Sequence, residues 1–144
     1  MKAIMKIALG AMACAVATPA MAQDMPFTPG NYSEVTEVTI DDGHFLDYAK
    51  FLATESKAQN DFAKSQGWLV DAKVFSNVHK RANEPDLYLM ITYKAMPDAA
   101  EQVRRQKIME DHFKQSEAQF EAGSGERAKY RHIGGTQLLQ ELVF

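Results

Sequence analysis

Apolar and polar positions alternate with a period of two in four stretches of this chain, and recur at helical spacing in two others. The first alternating stretch, Tyr32–Ile40, is rich in Val, Thr and Ile and predicts a strand. Asp41-Asp42-Gly43 ends it, with Asp42 placed to cap a helix over His44–Gln66. On that helix Phe45, Tyr48, Leu52 and Phe62 form one broad stripe, while Lys50, Lys57, Asp61 and Lys64 fall mostly elsewhere. Gly67 supplies its C-terminal stop. The next strand is Trp68–Ser76, with Trp68, Val70, Ala72 and Val74 on one face and Leu69, Asp71, Lys73 and Phe75 on the other. A polar loop, Asn77–Asp86, turns through Asn83-Glu84-Pro85-Asp86 into the strand Leu87–Lys94. Pro97 then precedes a second helix over Asp98–Ala122, with Val103, Met109, Phe113 and Phe120 on its apolar side. Gly123-Ser124-Gly125 ends that helix. A basic connection over 126–135, closed by Gly134-Gly135, leads to the last strand, Thr136–Phe144.

The element order is β-α-β-β-α-β. It predicts an α+β, ferredoxin-like domain: a four-stranded antiparallel sheet with two helices on one face. The helix side should take Val38, Ile40, Val70, Ala72, Val74, Leu89 and Ile91. The uncovered side should carry Glu37, Thr39, Leu69, Asp71, Lys73, Phe75, Tyr88, Met90 and Thr92. So many apolar groups in one exposed patch are unusual for a monomer. Two sheets paired face to face across a two-fold axis would shield them. Charges held between such sheets imply a partly hydrated cavity.

Ahead of the domain the chain reads as an export signal. Lys2 and Lys6 precede an apolar run from Ile7 to Ala17, Thr18-Pro19 breaks it, and Ala20-Met21-Ala22 is an A-x-A cleavage site. Residues 1–22 are therefore expected to be a signal peptide, 23–31 a flexible mature N-terminus and 32–144 the folded domain, in the periplasm or secreted. The apolar run is too short to span a membrane. Ala11-Met12-Ala13-Cys14 faintly resembles a lipidation site but lacks its usual Leu. Without Lys2 and Lys6, fourteen basic residues face nineteen acidic ones, a net charge of −5. That balance disfavours nucleic acid and anionic lipid as partners. Cys14 is the sole cysteine, so the mature chain carries no disulfide and no thiolate chemistry.

Val38-Thr39-Ile40 with Gly43-His44-Phe45, Gly67-Trp68-Leu69-Val70 and Asp86-Leu87-Tyr88-Leu89-Met90 give the chain a resemblance to the dimeric α/β-barrel superfamily. Residues 32–144 resemble its exported bacterial members of unassigned function. The superfamily also includes antibiotic-biosynthesis-type monooxygenases, haem-degrading enzymes and stress-responsive barrel proteins. The resemblance implies a homodimer with a cavity that takes a small, mostly apolar molecule. The alternative it implies is a monooxygenase-type enzyme, haem-dependent or cofactor-free, acting on an aromatic or tetrapyrrole ligand. Haem-degrading relatives carry a haem-ligating histidine on the helix where this chain has His112. They also use an asparagine at the centre of the first strand, where this chain has Glu37 or Thr39.

The residues themselves offer few signatures. His44, His79, His112 and His132 stand without an H-x-x-x-H or H-E-x-x-H partner, so no metal site is expected. No G-x-S-x-G elbow occurs, and Gly123-Ser124-Gly125 follows a helix rather than opening one, the wrong end for phosphate. Asp71, Lys73 and Tyr88 are expected to converge on the uncovered face, as a ligand anchor or an interfacial ion pair. With Glu37 and His112 they make up the candidate ligand-binding set; no catalytic residue is assigned. Trp68 is expected to pack the start of its strand against the helices.

Overall fold

The computed structural model describes residues 25–144. The expected signal peptide and Cys14 lie outside them. The strands are β1 (Thr28–Ile40), β2 (Asp71–Ser76), β3 (Leu87–Tyr93) and β4 (Arg131–Val143). The helices are α1 (Phe45–Phe51), α2 (Lys57–Ser65), α3 (Ala99–Phe113) and α4 (Glu117–Arg127). One antiparallel sheet has the order β2-β3-β1-β4, the ferredoxin-like arrangement expected from the element order.

Register assigns the faces. Val38 pairs with Leu87 and Thr36 with Leu89, while Val74 and Ala72 pair with Leu89 and Ile91. On this face Val38, Ile40 and Leu87 are buried with Tyr48 of α1, and Phe51, Leu52, Leu89 and Tyr130 pack around them. Tyr48 is 1% exposed, and burial pushes its hydroxyl above the usual tyrosine range despite nearby Arg131. Arg127 of α4 lies over the Phe51 ring at 3.7 Å. Helices from both halves of the chain thus share one side of the sheet. The other side carries Glu37 beside Tyr88 and Phe75, and Val35 beside Met90 and Lys73.

Several boundaries differ from the sequence expectation. α1 and α2 are joined by a π-helical segment, Leu52–Ser56, which inserts an extra residue into what reads as one regular helix. His44, not Asp42, occupies the N-cap of α1, and its ring stacks on Tyr130 at 5.0 Å. The expected second helix is two. α3 stops at Lys114, which adopts left-handed geometry (φ 54°). α4 restarts with a capping box in which Ser116 and Gln119 satisfy each other's backbone N–H groups. Gly123-Ser124-Gly125 lies inside α4 rather than ending a helix. Gly134 belongs to β4 and forms a bulge, since Glu37 pairs with Gly135 while Val38 pairs with Ile133. β1 begins at Thr28, four residues earlier than the pattern suggests, because β4 offers partners for it there.

Leu69 is the clear correction to the face assignment. Alternation places it on the uncovered side, but it is 8% exposed and lines the space under the helices. The regular strand starts only at Asp71, so the period of two does not extend back through the bend at Trp68–Val70. Trp68 packs edge-on against Phe62 at 5.8 Å, as expected for a residue holding a strand start to a helix.

Candidate functional site

The structure separates the five candidate residues into three places. Glu37 and Tyr88 are direct cross-strand partners in the middle of the uncovered face, with Phe75 next to Tyr88 on the far side. Glu37 sits beside the Gly134 bulge, where an added Cβ would lie 3.4 Å from its Oε2. Glycine there leaves the carboxylate room to lie over the strand.

Asp71 and Lys73 lie on edge strand β2 and turn around that edge. Lys73 Nζ donates to Asp71 Oδ2 at 3.0 Å, and Lys64 of α2 reaches Asp71 Oδ1 at 3.5 Å. The hydrogen bond from Lys73 chiefly holds the Asp71 carboxyl below its ordinary range. One carboxylate is therefore shared by two ammonium groups from different elements.

His112 lies in the helical layer, and the sheet stands between it and the Glu37–Tyr88 pair. Its ring stacks on Phe62 at 3.8 Å with 13° between planes, and Phe113 meets Phe62 edge-on at 5.8 Å. These contacts join α3 to α2. Arg105, also from α3, lies 5.5 Å from the Trp68 ring. Among the described residues, no group of three or more His, Cys, Asp or Glu is placed to hold a metal ion.

A cleft of about 490 Å³ opens between the α1–α2 helical arm and the β2 edge of the sheet. Its floor is apolar: Leu52, Leu69, Ala72, Val74, Leu89 and Ile91. Its rim is charged. Lys57 pairs with Asp61 one helical turn away, and Lys64, Asp71 and Lys73 complete the ring. Three ammonium groups face two carboxylates there, an excess of one positive charge. The π segment shapes one wall, contributing Leu52 and Ser56. Sequence reading missed this site because Lys57 and Lys64 look like ordinary solvent-facing helix residues. Only the seating of α2 over the edge strand brings them to Asp71. The change of parity at Leu69 was the other necessary step, and no residue pattern announces it.

Across the rest of the surface, the described helices include none long and apolar enough to cross a membrane. Comparison with protein-family models, with curated proteins and with solved structures yields no match for this chain.

Proposed function

We propose that this chain is an exported binding protein that acts as a homodimer and holds a small, mostly apolar molecule. The observation that carries the binding reading is the cleft between helices and sheet, whose apolar floor is ringed by lysines in slight excess over aspartates. Burying apolar surface against such a floor yields roughly 25 cal/mol per Å², which rewards a hydrocarbon or aromatic body. The rim rewards a single negative group at one end of that body. A mostly apolar molecule with one carboxylate satisfies both.

The homodimer reading rests on the uncovered face. Phe75 (47% exposed) and Leu139 (51%) flank a band that also contains Val35, Tyr88 and Met90. Two such faces brought together across a two-fold axis would form the barrel-like assembly expected from the sequence. Export is supported by the ordered basic, apolar and small-residue segments of the first 22 residues.

The lone tryptophan, Trp68, adjoins Leu69 of the cleft floor and provides the probe. Titration with octanoate should change its emission saturably, and octanol should bind more weakly. Lys64→Gln with Lys73→Gln should narrow the difference between the two ligands to a few-fold. A Trp68 signal that does not respond to either compound at millimolar concentration refutes the binding reading. Export predicts a secreted chain whose mass begins at Gln23.

A further inference from the structure

The last residue of α4, Arg127, and the first of β4, Arg131, both turn their side chains into the helical layer. The Arg127 guanidinium lies over the Phe51 ring, and its side chain is 18% exposed. Arg131 reaches α4, where its Nη2 donates to the carbonyl and hydroxyl oxygens of Ser124, both at 3.3 Å. The two share one neighbourhood. Both act on Tyr48, opposing the rise that burial imposes on its hydroxyl.

Their charges are poorly answered. The Nε of each arginine is buried without a hydrogen-bond partner. Among the described residues, the only carboxylate within 4.0 Å of either is Glu55, 3.8 Å from Arg127 Nη1 and itself 65% exposed. A charge withdrawn from water needs a counter-charge close by. Arginine cannot shed its proton to escape that cost. Two cations therefore stand together, balanced by one loosely placed carboxylate.

α4 also keeps space open here. Gly123 and Gly125 lie in its interior, although glycine weakens a helix. A Cβ on Gly123 would lie 3.4 Å from Arg127 Nη1, whereas one on Gly125 would meet nothing within 4 Å. Gly123 thus keeps the approach to that nitrogen clear. The sealed Nε atoms leave contact with a ligand to the terminal nitrogens, whose N–H groups suit oxyanions. Ser124 Oγ accepts from Arg131 and so retains its own proton for a further acceptor.

We propose that Arg127 and Arg131, with the Ser124 hydroxyl, form a binding site for a compact tetrahedral oxyanion of the phosphate or sulfate type. None of the three lines the cleft at the β2 edge, and the inference does not depend on that cleft being a binding site. Tyr48, Phe51 and α4 crowd the pair, so a compact ion fits where a bulky organic body does not. Donors from two guanidiniums and a hydroxyl serve three oxygens, one more than a carboxylate offers. Because every group here can donate, the ion needs no proton of its own, and sulfate serves as well as phosphate.

The sealed Nε–H groups exchange slowly with water, which makes them visible in proton–nitrogen correlation spectra. Inorganic phosphate added at constant ionic strength should move both resonances saturably, with half-saturation below about 10 mM. Sulfate should act alike, and acetate should bind at least about tenfold more weakly. Arg127→Leu keeps an apolar contact with Phe51 and should raise the phosphate Kd, read at Arg131, at least about tenfold. Two glycine variants separate binding from helix strength and decide the matter if Arg127→Leu does not fold. Gly123→Ala and Gly125→Ala should both raise the urea midpoint, but only Gly123→Ala should weaken phosphate, by about threefold or more. Resonances that stay still, or drift without saturating up to about 50 mM phosphate, overturn the site. So does a phosphate Kd that Arg127→Leu leaves within about twofold of wild type, or that the two glycine variants change equally. Acetate binding as tightly as phosphate overturns the assignment to a tetrahedral ion.

Discussion

The two ends of the sheet follow the same alternation but end up in different environments. Around β1 and β3, Val38, Ile40 and Leu87 close over Tyr48 and are shielded from water. Along β4, Ile133, Leu138, Leu139, Leu142 and Val143 are each about half exposed. The helices differ in the same way: α1 buries Tyr48, whereas α3 and α4 bury no residue fully. The lesson is that alternation sets which way a side chain points but not whether anything meets it. The chain finishes its core at one end of the sheet and leaves apolar surface at the other.

The largest effect that would break this contrast is expected at Tyr48. Tyr48→Ala should cost about 3–5 kcal/mol in urea unfolding, as other aromatic truncations in closed cores do. Leu138→Ala, also a truncation of a large side chain to alanine but at a half-exposed site, should cost a small fraction of that. Equal losses at the two sites would show that β4 is as well packed as β1.

Asp86 is the next in size. It accepts from the Ile40 N–H at 2.8 Å and from Lys80 Nζ at 2.9 Å, tying the Asn77–Asp86 loop to the end of β1. Asp86→Ala should cost about 1.5–3 kcal/mol, the range for hydrogen bonds to a charged group. Partial burial opposes its ionisation, but the hydrogen bonds from Lys80 and Ile40 outweigh that and keep its carboxyl below the usual aspartate range. Its contribution is therefore complete above the unfolded value and disappears as pH falls through the folded one. Glu84, held low by Arg81, and Glu101, held at about 2 by Arg104 and Arg105, act in the same direction. Stability measured by urea midpoint should be level above pH 5 and decline below about pH 4, with a shallower decline in Asp86→Asn.

Smaller effects sharpen the picture of the looser half. Ser116→Ala removes the capping box that starts α4 and should cost about 1 kcal/mol. Lys114→Gly should stabilise by about 0.5–1 kcal/mol, because glycine accepts the left-handed backbone there without strain. If the α3–α4 layer melts before the Tyr48 core, these two changes will shift an early transition by circular dichroism and leave the main one in place.

Strand directions, faces and the ferredoxin-like order were legible in the residues, because a period of two and a period near four are imposed by backbone geometry. Val38, Ile40 and Leu89 face the helices as their alternation requires. Breaks in that regularity were not legible. The π segment at Leu52–Ser56, the left-handed Lys114 and the early restart of α4 depend on which hydrogen-bond partners survive after packing. The candidate ligand set shows the same division. Glu37 and Tyr88 are neighbours because register follows from the pattern of the strands. Asp71 and Lys73 meet Lys64 only because α2 is seated over the β2 edge, and His112 stacks on Phe62 instead of joining them.

By itself the sequence determined the local geometry of this protein, the order of its elements and the sign of each face, since these follow from steric limits and apolar spacing over a few residues. The tertiary structure alone decided where the cleft opens, which charges ring it and how far β1 and β4 run together past β3 and β2. Those features depend on contacts between residues far apart in the chain, and no local pattern encodes the distance at which two such segments come to rest.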